Sequence, residues 1–103
     1  MVILLRIDDR LLHGQVAFSW LNTMGPEAIV IANDEILSNE IQKTAIKMAK
    51  PAGIKMTIRS LEDGIHLINN DRVKEMKLFV VVKTTEDALK VVKEVKERIP
   101  LVN

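Results

Sequence analysis

Residues 6–16, RIDDRLLHGQV, bring Arg6, Asp8, Asp9, Arg10 and His13 together directly after the apolar run MVILL. Histidine ordinarily titrates near about 6.5, so near neutral pH one ring nitrogen keeps a lone pair able to attack phosphorus. A carboxylate on the other ring nitrogen holds that tautomer, and Asp8 or Asp9 is close enough in sequence to serve. Arg10 adds a planar fork of donors suited to phosphate oxygens. A helix beginning near His13 or Gly14 would add free backbone N–H groups and a partial positive charge. Phosphoryl transfer depends mainly on positioning and charge neutralisation, and these residues can supply both. Spacing alone leaves plainer roles open. Asp8 and Asp9 can cap a helix or turn, Arg10 can pair with either acid, and His13 can be a cap or surface residue. Metal binding is weakly supported, because no second His, Cys or Glu is placed to complete a shell around Asp8, Asp9 and His13. No metal or cofactor is expected. His66, among Ile65, Leu67 and Ile68, reads as a structural helix residue, and Trp20 as core.

Four apolar runs must position this cluster: VILLRI (2–7), AIVIAN (28–33), IKMTIR (54–59) and KLFVVV (77–82). Each precedes a longer segment of helical periodicity, giving β-α-β-α-β-α-β-α. Strands apolar on both faces suit a parallel sheet covered by crossover helices. The expected fold is therefore α/β, an open and mainly parallel sheet with helices on both faces. Strand one then ends near Ile7, and residues 8–12 form a loop at its carboxyl end, the edge where such sheets bind ligands.

Helix boundaries are also readable. Residues 34–50 are expected to be one helix, with Ile36, Ile41, Ala45, Met48 and Ala49 at roughly helical spacing, Asp34 or Ser38 as cap, and Pro51 with Gly53 as stop. Ser60 to Asp63 forms a capping pattern before Leu61, Ile65 and Ile68. The segment from Thr84 or Thr85 to Arg98 places Ala88, Val91, Val92 and Val95 inward and its charged residues in water. The final IPLVN reads as the start of a fifth strand at Leu101, the expectation being a truncated domain.

Composition removes several function classes. The 103 residues fit one domain with a single core. Fifteen Lys and Arg against 14 Asp and Glu leave a net charge of +1, so neither broad nucleic-acid attraction nor strong membrane steering is implied. Cysteine is absent, excluding disulfides and thiolate metal sites and fitting a cytoplasmic location. Arg6, Asp8 and Asp9 break the first apolar run too early for a signal sequence or membrane span.

RIDDRLLHGQV followed by Trp20 resembles the phosphorylation-site segment of the IIB component in the mannose/fructose/sorbose family of the bacterial sugar phosphotransferase system. That family's pattern is Arg-Ile/Val-Asp-x-Arg-Leu-Ile/Leu-His-Gly-Gln-Val, then Trp. The likeness continues through IVIANDEI, AKPAGIK and KLFVVVKTTEDAL. It implies that His13 is the phosphorylated residue, that Arg10 steadies the phosphoryl group, and that Asp8 and Asp9 are the acidic pair of the loop. Gly14 and Gln15 would open the helix whose amides face the phosphate. Arg6 is family-like, and Thr84 and Thr85 are candidate phosphate or supporting contacts beside Lys83. The implied partners are an EIIA phosphoryl donor and the membrane components EIIC and EIID, with Leu11, Leu12 and Phe18 flanking the docking loop. Family members continue past the position of Asn103, so an exposed sheet edge with self-association through Leu101 and Val102 is a further expectation.

Two other classes are compatible with parts of the pattern. A response-regulator receiver domain shares the alternation, an acidic pair after strand one and a Thr after strand four. Its phosphoacceptor Asp should end strand three, where this chain has Arg59 and Ser60. A non-catalytic α/β interaction module would keep the packing without the chemistry.

Overall fold

The computed structural model describes residues 1–8, 25–48, 50, 53–96 and 99. Four apolar segments form strands, β1 (Val2–Ile7), β2 (Ala28–Ala32), β3 (Lys55–Arg59) and β4 (Leu78–Val82). They pair in the order β1-β4-β2-β3, and every pairing is parallel. Val80 lies opposite Leu5 on one side and Val30 on the other, at the centre of the sheet. All five residues of β2 and of β4 are buried, as central strands covered on both faces require.

The described helices are α1 (Glu40–Met48), α2 (Leu61–Ile68) and α3 (Thr85–Glu94). Side-chain alternation divides the core into two layers. Leu5, Val30 and Val80 face α2 and α3, where Ile65, Ile68, Ala88 and Val91 complete one layer. Leu4, Ile29, Ile31, Phe79 and Val81 form the other with Ile36 and Ile46. Helices thus cover both faces. Helix α2 approaches β2 closely at Gly64, where a Cβ would stand 2.9 Å from that of Ala32. No described helix is long and apolar enough to cross a membrane.

Two helical expectations need correction. Residues 34–50 are not one helix: Glu35–Ser38 is a 3-10 turn, Asn39 leaves helical geometry at φ −111° and ψ 90°, and α1 begins at Glu40. Asn39 is the reason, because its side-chain oxygen accepts the Gln42 N–H at 3.0 Å and caps a new helix. The break resets the helical phase. Ile46 is buried, whereas Ile41 and Met48 are 86% and 81% exposed.

Helix α3 likewise ends at Glu94 rather than Arg98, and Val92 is exposed instead of inward. The Asn69 side chain, at the end of α2, donates to the Glu94 carbonyl at 3.0 Å and accepts the Lys96 N–H at 2.8 Å. These bonds occupy backbone groups at the helix end, so Val95 turns to extended geometry and packs into the core. The fifth-strand residues Leu101 and Val102 lie outside the described residues.

Candidate functional site

Parallel pairing gathers the carboxyl ends of all four strands along one edge, where open α/β sheets place their ligand loops. At β1 the ladder runs one residue past the strand, the Asp8 N–H donating to the Val82 carbonyl at 2.8 Å. This bond sets Asp8 beside the end of β4, next to Lys83. The Asp8 carboxylate lies 4.0 Å from the Arg6 guanidinium, with both side chains largely covered. Arg6 and Asp8 continue the alternation of Leu4, Asn33 that of Ile29 and Ile31, and Lys83 that of Phe79 and Val81. All four therefore belong to the side of the edge that α1 covers.

The loop after β2 is tied down by its own polar residues. Asn33, the one buried polar side chain among the described residues, accepts the Ile36 N–H at 3.0 Å and starts the 3-10 turn. Asp34 accepts the Leu61 N–H at 2.9 Å, reaching across to the start of α2. Glu35, held between these contacts and the turn, pairs with the Lys83 ammonium at 3.2 Å. Asn33, Glu35 and Lys83 line a cleft of about 650 Å³ whose far wall is residues 38–42.

Thr84 and Thr85 sit at the same edge. The Thr84 hydroxyl oxygen accepts the Asp87 N–H at 3.1 Å as the cap of α3, and a hydroxyl that accepts one bond can still donate another. Thr85 is the exposed first residue of that helix. The tip of β3 carries Arg59, which donates to Thr57, and Ser60, which caps α2 through the Asp63 N–H. Arg6 and Asp8 thus stand at this edge on the α1 side, and Thr84 and Thr85 stand at the same edge where α3 begins. Asp9, Arg10, His13, Gly14 and Gln15 lie outside the described residues, as do Leu11, Leu12, Phe18 and Trp20. From sequence alone Lys83 is expected at this edge without a role, and Asp34 only as a local helix cap. The polar run NDE directly after a buried strand was the available signal, since Asn and Asp hold loops by bonding nearby backbone.

Over residues 2–103 the sequence matches the family described as PTS system sorbose subfamily IIB component. The chain belongs to this family. A probable phosphotransferase enzyme IIB component of Streptococcus pyogenes serotype M6 is 45% identical over 95 residues, spanning 92% of this chain and 58% of the relative. The crystal structure of the IIBSor domain of the Klebsiella pneumoniae sorbose permease superposes with a TM-score of 0.91 at 31% identity, over 100% of this chain and 63% of that one. The mannose-specific EIIAB component of Escherichia coli K12 is 30% identical over 89 residues, 86% of this chain and 28% of the relative. This IIB chain therefore spans less than two thirds of the length of these relatives. Its parallel α/β sheet is the fold of the sorbose-type IIB domain. As a sorbose-subfamily IIB component, it is a component of a sugar phosphotransferase system and not a receiver domain.

Proposed function

We propose that this chain is a phosphohistidine relay in sugar uptake, taking a phosphoryl group from EIIA onto His13 and passing it to a sugar held by the membrane components EIIC and EIID. The observation that carries the reading is the position of Asp8. It opens the motif DDRLLH and is fixed by Val82 at the carboxyl edge of the sheet. His13 follows five residues later, within roughly 18 Å of extended chain.

In the first transfer a neutral His13 ring nitrogen attacks phosphorus. A new P–N bond forms while the P–N bond to the EIIA histidine breaks, and that electron pair returns to the donor ring. The acceptor ring loses the proton from its other nitrogen and the donor ring gains one, so both rings end neutral. In the second transfer a sugar hydroxyl oxygen attacks the same phosphorus, its proton is lost, and the His13 ring leaves as neutral imidazole after protonation. Asp8 or Asp9 would orient the ring through its second nitrogen. Arg10, together with Arg6, would neutralise phosphoryl charge, and the backbone of Gly14 and Gln15 would donate to its oxygens. Thr84 and Thr85 are candidates for a further donor.

EIIA as donor is supported by the E. coli relative, whose name joins A and B functions in one chain. A cytoplasmic location beside the membrane components follows from that partnership. The test is intact mass after incubation with a phosphorylated EIIA domain. One added phosphoryl group that is acid-labile, base-stable and absent from His13→Ala supports the relay. A folded wild-type chain that gains no mass favours the non-catalytic module instead.

A further inference from the structure

We propose that Lys83 is a positioning cation for the phosphoryl group and that Glu35 is its resting counter-ion, the ammonium exchanging the carboxylate for phosphoryl oxygens when phosphate reaches the edge. The inference rests on the relay reading above and adds a residue to it.

Three observations carry it. The first is placement: Lys83 follows Val82, whose carbonyl receives the Asp8 N–H, so its backbone is adjacent to the residue that opens the phosphoacceptor loop. The second is the nature of the pair. Lys83 and Glu35 meet at 3.2 Å with side chains 36% and 79% exposed, and ion pairs so open to water contribute little stability and exchange partners readily. A dianionic phosphoryl group competes well for an ammonium whose partner among the described residues is one exposed carboxylate. The third is support. Asn33 and Asp34 pin the loop that delivers Glu35 with bonds of 3.0 and 2.9 Å. The carboxylate is thus presented from a pinned loop lining the cleft, while Lys83 carries its ammonium on a long four-carbon stem.

The test is the rate of phosphorylation of the full chain by a phosphorylated EIIA domain, measured against donor concentration and salt. Lys83→Met is expected to lower the maximal rate by at least roughly fivefold, with Lys83→Arg restoring most of it. Glu35→Gln, which removes the competitor, is expected to raise the rate. Lys90→Met removes a similarly exposed ammonium on α3, paired only at 4.0 Å with Glu94, and should retain the wild-type rate. The gap between wild type and Lys83→Met should narrow as salt screens the charge. Equal rates in wild type and Lys83→Met overturn the inference alone. Equal losses in Lys83→Met and Glu35→Gln, accompanied by lower melting temperatures, show a structural strap and overturn it too. A folded wild-type chain that takes no phosphoryl group overturns the relay reading, and this inference with it.

Discussion

Asp34 caps a helix that begins 27 residues away: its carboxylate accepts the Leu61 backbone N–H at 2.9 Å, while Ser60 accepts the Asp63 N–H at 3.1 Å. Two of the donors left open at the start of α2 are satisfied by different parts of the chain. Asp34→Ala and Ser60→Ala should each cost about 1 kcal/mol. Only the first should also disturb the loop that carries Glu35. Urea denaturation of each variant, with amide exchange at residues 34–36, distinguishes these effects.

Gly64 permits the contact between α2 and β2. A methyl group there meets the Ala32 side chain at 2.9 Å. Gly64→Ala should destabilise the fold by about 1–2 kcal/mol, although alanine favours helix by about 1 kcal/mol in an open position. Adding Ala32→Gly should recover part of the loss, and a double-mutant cycle in denaturant measures that coupling.

Asn69 joins the ends of α2 and α3 with bonds of 3.0 and 2.8 Å to Glu94 and Lys96. Asn69→Ala should cost roughly 1–3 kcal/mol. Asn69→Asp should do no better, because an acceptor then faces the Glu94 carbonyl. Thermal unfolding compares the two.

The phase of α1 gives a fourth prediction. Ile41→Lys and Met48→Lys, at positions 86% and 81% exposed, should each change stability by less than about 0.5 kcal/mol. Ile46→Ala, at a position 4% exposed, should cost about 2–5 kcal/mol. The opposite ranking in denaturant midpoints would restore the single helix over 34–50.

Much of the fold was legible because strands buried on both faces are apolar throughout. AIVIA and LFVVV had few other places to go, and their alternation, with that of the edge segment VILLRI, against helical segments implied parallel order. The helix cap at Ser60 was legible for a similar reason, since its partner is three residues away. The break at Asn39 was not. An asparagine inside a helical pattern carries no local sign of whether it caps or continues, and burial of Ile46 against β2 and β4 decides the matter. Asn69 was missed because its partners, Glu94 and Lys96, lie at and just beyond the end of another helix.

Of the candidate site, the sequence by itself determined the family likeness: the ordered motif with His13, Arg10 and two aspartates, on which the proposed chemistry rests, is contained in one short stretch and needs no folding to be seen. Only the tertiary structure decided that Asp8 ends beside Val82, that Lys83 meets Glu35 across 48 residues, and that Asp34 serves a distant helix. Local preferences are written in neighbouring residues. Contacts between chain segments depend on strand order and register, which follow from burying all the apolar faces at once.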